Sequence, residues 1–115
     1  MEFGIFHEFP SLPNRPDAEA FAEAFDLVDG AERWGLDAIW LAELHFDPDR
    51  SVLSSPMCIA SAIAARTTHI KIGIAVQVLP LCNPLRIAEE AGHGRPDQPR
   101  PADLRRRPQR RGENL

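Results

Sequence analysis

The sequence predicts an α/β fold, the first three βα units of a TIM (β/α)8 barrel, on three observations. Short apolar runs alternate with amphipathic stretches of helical period, cap and turn residues separate them, and the runs begin near residues 2, 37 and 70. Strands that alternate with helices form a parallel sheet through right-handed crossovers. Steps of 35 and 33 residues are close to what a barrel of about 250 residues allots to each of its eight units. A doubly wound sheet has similar spacing, but its Gly-rich phosphate loop is missing after the first run, where HEFPSLP stands.

Taken in order, EFGIFHE (2–8) reads as a buried strand ended by Pro10 and the turn-prone SLPNRP. Asp17 is placed to N-cap a long helix, along which Phe21, Phe25, Val28 and Ala31 form one stripe. Gly35 stands where a left-handed C-terminal cap belongs. The run DAIWLAE (37–43) is a second strand, followed by the polar loop HFDPDRSVLSS. Ser55 and Pro56 give a cap and first-turn proline for a helix to about Arg66, with Ile59 and Ile63 inward. IKIGIAVQVL (70–79) is the clearest strand, and Asn83-Pro84 opens a third helix through LRIAEEA.

The charge is split along the chain. Residues 1–90 carry 14 Asp or Glu against 6 Lys or Arg, a net of −8, and residues 91–115 carry 7 Arg against 3 acids, a net of +4. Every aromatic residue, Val and Ile lies before residue 90. The expected organisation is therefore the N-terminal part of a barrel domain over 1–91 and an Arg/Pro-rich tail over 92–115. No stretch approaches the roughly 18 uninterrupted apolar residues of a membrane helix, and MEFGIFHEF lacks the basic start of a secretory signal. Cys58 and Cys82 are too few for a disulfide framework or a four-thiolate zinc site and read as reduced, half-buried thiols of a cytoplasmic protein.

Barrel active sites lie at the C-terminal ends of the strands. Those ends carry His7 and Glu8, then Glu43 and His45, then Gln77 with Leu79-Pro80. Two imidazoles and two carboxylates on one rim suit acid–base chemistry, ligand binding or metal coordination. A backbone-bonded strand-end histidine is the plain alternative for His7, and a structural carboxylate for Glu43. No metal is expected, since Phe6-His7-Glu8 stands where barrel hydrolases carry His-x-His. His69 and His93 are expected to be exposed and outside the site.

The segments MEFGIFHEF, WLAELHF (40–46) and GIAVQVLPLCNPLRIAEE (73–90) together resemble the bacterial luciferase-like flavin monooxygenases, over residues 1 to about 91 in the same order and spacing. The resemblance implies a barrel that binds reduced FMN, activates O2 and oxidises a small organic substrate, the protein supplying orientation, water exclusion and proton management. It also implies a flavin reductase as partner and a dimeric full-length form, with no nucleic acid or membrane. By the same resemblance His45 and His7 would be catalytic, and Glu43, Ala75, Val76 and Asn83 would meet the cofactor. A non-prolyl cis peptide would fall on Ala75-Val76 beneath the flavin ring. The family motif Glu-His-His-Phe is Glu43-Leu44-His45-Phe46 here, which disfavours light emission and favours a plainer oxidoreductase. The family His-Pro is Asn83-Pro84, and Arg86 matches a family Arg. A deazaflavin-dependent oxidoreductase of the same barrel type and a non-catalytic binding module with a basic arm are the alternatives. Since the barrel phosphate site lies near strands 7–8, the 115-residue chain is expected to bind FMN weakly or not at all.

A fourth strand is due near residues 100–103, where PRPADLRRRPQRR cannot be a central strand. A basic arm for nucleic acid would suit the clustered arginines, but no aromatic residue accompanies them to stack on bases. The favoured expectation is a reading-frame shift: one free back-translation of residues 92–110, read one nucleotide on, yields RLIFGVG over 101–107, a strand where the repeat requires one. The coding DNA decides between the two.

Overall fold

The structure, a computed structural model, describes residues 1–93. Three strands, β1 (Gly4–His7), β2 (Ala38–Leu41) and β3 (Lys71–Ile74), form a parallel sheet in the order β1-β2-β3. Helices α1 (Asp17–Arg33) and α2 (Pro56–Arg66) connect them, and α3 (Pro84–Gly92) follows β3 after a 3-10 turn at Leu79–Leu81. This is the predicted α/β arrangement of three successive βα units. The rest of the Arg/Pro-rich tail, with the expected frameshift, lies outside the described residues from position 94 on.

The register explains which side chains are buried. Ile5, Ile39 and Ile72 are aligned across the sheet, as are His7, Leu41 and Ile74. Ile39 and Leu41 are fully buried with Val28 and Ala31 of α1, Ile63 of α2 and Phe9 and Ile70 beside the sheet. The neighbouring rows, Gly4-Ala38-Lys71 and Phe6-Trp40-Gly73, face away from this core, because successive side chains of a strand alternate in direction. Phe6 is 54% and Trp40 45% exposed there.

The helix signals hold with two corrections. Gly35 takes φ +75° just beyond α1, as its position requires. Pro16, not Asp17, is the N-cap of α1, and Asp17 is the first helical residue, where its charge favours the helix N-terminus. Ser55 precedes Pro56 but makes no capping bond, because its hydroxyl donates to the Cys58 sulfur at 3.2 Å. Asn83 does cap: its Oδ1 accepts from the backbone N–H of Leu85 at 3.0 Å and Arg86 at 3.3 Å.

The strands are shorter than the apolar runs. The 70–79 run leaves the ladder after Ile74, its last backbone bond there being Ala75 N–H to the Leu41 carbonyl at 2.8 Å. The Glu43 carboxylate then takes the Val78 N–H and the Gln77 amide and draws the segment off the sheet line. The polar loop after β2 is anchored. Pro10 and Ser51 form an isolated bridge, the Ser51 hydroxyl donates to the Glu8 carbonyl at 2.5 Å, and Leu53 is buried. Cys58 is exposed rather than half-buried, because it faces the open cleft between α2 and α3; Cys82 is half-buried.

Candidate active site

At the C-terminal end of β2 the chain runs from buried Leu41 into Ala42 and Glu43, both buried, and then into His45. The Glu43 side chain is 3% exposed and both of its oxygens are engaged. Oε1 lies 2.6 Å from His45 Nε2. Oε2 accepts from Gln77 Nε2 at 2.5 Å and from the Val78 backbone N–H at 2.8 Å. A carboxylate this removed from water needs such donors, since an unpaired buried charge is strongly unfavourable. With Glu43 ionised, this contact is made by a proton on His45 Nε2. The other ring nitrogen, Nδ1, has no hydrogen-bond partner among the described residues, and the His45 side chain is 23% exposed. Phe46 stands next to it, 95% exposed and at φ 60°, its ring 5.9 Å from the imidazole.

The end of β3 supplies the second wall. The Ala75-Val76 peptide is cis, at the position the sequence resemblance specifies, and Val76 is exposed. Glu43 and Gln77 also border a cleft of about 610 Å³ between α2 and α3, with Ser55, Cys58, Cys82 and Asn83 around it.

The structure thus brings Glu43 and His45 into direct contact and ties both to the segment that carries Ala75 and Val76. It does not bring His7 to them. His7 is aligned with Leu41 on the core side of the sheet, its ring 4.7 Å from that of Phe9, and burial lowers its pKa from the ordinary 6.5. Asn83 borders the cleft, but its side-chain oxygen is committed to the α3 cap. Arg86 also borders the cleft, where it pairs with Glu90 at 2.8 Å. His69 is 91% exposed, and His93 sits at the exposed end of α3. Among the described residues no group of three or more His, Cys, Asp or Glu could hold a metal ion, and no helix is long and apolar enough to cross a membrane. Gln77, which sequence reasoning noted at a strand end without giving it a role, is the residue the site adds. Its signal was one amide in the apolar run IKIGIAVQVL.

A profile of the luciferase-like monooxygenases matches residues 1–93. The chain belongs to this family. Within it, the chain is 30% identical over 90 residues to the alkanal monooxygenase alpha chain of the Kryptophanaron alfredi symbiont, covering 78% of this chain and 25% of that one. It is 26% identical over 92 residues to the oxygenase component of the flavin-dependent trigonelline monooxygenase of Acinetobacter baylyi, covering 79% and 25%. Its fold is similar, at a TM-score of 0.73 and 24% identity, to a type II Baeyer–Villiger monooxygenase, the oxygenating constituent of 3,6-diketocamphane monooxygenase of Pseudomonas putida, solved with FMN; 81% of this chain and 25% of that one are covered. This luciferase-like chain therefore spans about a quarter of the length of the relatives it matches.

Proposed function

We propose that this chain carries the β1–α3 part of a flavin-dependent monooxygenase site, in which reduced FMN and O2 act on a small organic substrate. The observation that carries the reading is the buried Glu43–His45 pair beside an open apolar sheet face, in a chain of this family. A flat, mostly apolar ring fits that face: Phe6, Trp40 and Val76 are exposed around it, and Gly73 adds no side chain to it. When bound, the flavin supplies the redox chemistry. The residues of the chain contribute the surroundings. Phe6, Trp40 and Val76 exclude water from one side of the ring, the Ala75-Val76 backbone supports it, and Glu43 holds the His45 imidazole with Nδ1 free to take or give a proton. His7 lies on the core side of the sheet, where burial lowers its pKa and so favours the neutral ring. Leu44 in place of the first family histidine favours oxygenation without light emission. A separate flavin reductase is the expected supplier of reduced flavin, in keeping with a relative named as an oxygenase component. A dimeric full-length form in the cytoplasm completes the reading.

The test is an anaerobic titration of the isotope-labelled chain with reduced FMN, followed by amide and imidazole resonances. Shifts at Trp40, His45, Ala75 and Val76, with an affinity weaker than micromolar because the phosphate has no site in these three units, are the expected result. Shifts confined to other residues would overturn the reading. A preference for a deazaflavin in the same titration would move the cofactor assignment to that class and leave the site in place.

A further inference from the structure

We propose that Gln77 is a positioning residue that acts through Glu43 to hold the His45 imidazole in one tautomer and one orientation. The inference rests on reading His45 as the proton-handling group of the site.

Three observations carry it. Gln77 donates to Glu43 Oε2 at 2.5 Å, opposite the oxygen that meets His45 at 2.6 Å, so the carboxylate is clamped from both ends of its plane. The Gln77 amide can stand only one way round, because the reversed amide would set an oxygen against Glu43 Oε2. Its Nε2 also reaches the Cys82 sulfur at 3.4 Å, which ties the amide to the turn before α3. Finally, the correctly turned amide leaves Gln77 Oε1 buried with no partner among the described residues. A buried acceptor without a donor costs about 1–3 kcal/mol. A residue chosen for stability alone would be apolar at this place, as its neighbours Val76 and Val78 are. The unfavourable oxygen is retained together with the donor that Glu43 requires.

Without Gln77 only the Val78 N–H would anchor the carboxylate independently of His45, and Glu43 could tilt together with the ring it is to hold. Two donors on Oε2 and one on Oε1 remove that freedom. Glu43 then presents a fixed acceptor to Nε2, and His45 Nδ1 points at a fixed place on the strand-end rim. A hydrogen-bonded carboxylate that fixes the tautomer of a working histidine is a recurrent device in catalytic sites.

The test is nuclear magnetic resonance of the 115-residue chain with nitrogen-15 in histidine and glutamine. In the wild type, with the ring neutral, His45 should carry its proton on Nε2 with slowed solvent exchange, and one of the two Gln77 amide protons should exchange more slowly than the other. Gln77→Met, nearly the same size but without the donor, should speed His45 N–H exchange by about tenfold, on the scale of one lost hydrogen bond. Val78→Ala removes packing beside the site but keeps both donors, and should leave that exchange unchanged. A Gln77→Met exchange rate within about twofold of wild type would overturn the proposal, as would equal loss in Val78→Ala. Should Gln77→Met fail to fold, the wild-type spectra decide: a proton on Nδ1, or two Gln77 amide protons exchanging alike, overturns it. No flavin enters these measurements, so their failure leaves the flavin reading standing, and a failed flavin titration leaves the positioning standing.

Discussion

On the last turn of α1, Glu32 turns its carboxylate toward the start of β3. It accepts the backbone N–H groups of Thr68, His69 and Ile70 and the Thr68 hydroxyl at 2.6–2.9 Å. Partial burial alone would raise its pKa, but these donors outweigh that effect and bring it from 4.5 down to about 2. A lowered carboxylate pKa stabilises the fold above the unfolded value and loses that contribution as pH falls through the folded one. Glu32 therefore stabilises the chain fully above about pH 4.5 and progressively less toward pH 2. Glu32→Gln is expected to cost about 1–3 kcal/mol near neutrality, and the gap between variant and wild-type urea midpoints should close as the pH approaches 2. A gap that is constant with pH would assign the effect to packing. Neither Glu32 nor Gln77 was legible as a structural keystone in the sequence, because their partners are other side chains and backbone groups some 34–38 residues away. Glu43 and His45 were legible, because a strand end in a barrel pattern is itself an address for chemistry. His7 shared that address, but the side-chain alternation of β1 turns it into the core.

At the scale of elements, periodicity located all three strands and all three helices, and the caps at Pro56, Asn83 and Gly35 marked helix ends closely. What it overran was strand length: an apolar run continues for reasons of burial after ladder pairing has stopped, as Ala75 to Val78 show. Ile63 is fully buried between α2 and the sheet, so Ile63→Ala opens a cavity in the core and should cost about 2–5 kcal/mol in denaturant unfolding. Gly73 works differently. An added Cβ would stand 2.3 Å from Trp40 Cε3, so the ring lies directly over the glycine. On the open side of the sheet the ring can swing away, and Gly73→Ala should release it into water. In a Trp34→Phe background the Trp40 emission should move to longer wavelength, with the helix content unchanged. Unchanged emission would mean that Trp40 does not rest on Gly73.

For the whole molecule the decisive fact is that helices cover one face of a parallel sheet and leave the other bare in the described residues. Parallel sheets are normally covered on both faces, and bare strand edges invite association. Here the bare face carries Phe6 and Trp40, with Val76 72% exposed at its rim, and β1 and β3 both lie at edges. The net charge of −8 over residues 1–90 opposes association of the chain, but on the bare face itself Lys71 and Glu2 form a neutral pair that adds no net charge. The isolated chain should therefore bind apolar dyes and self-associate with rising concentration. Phe6→Lys with Val76→Lys places two cations on that face without touching the buried core, so circular dichroism should hold while dye fluorescence and sedimentation both fall toward monomer values. If the double variant binds dye as well as the wild type does, the bare sheet is not the surface that drives association, and the same face loses its standing as the seat of a flat apolar ligand.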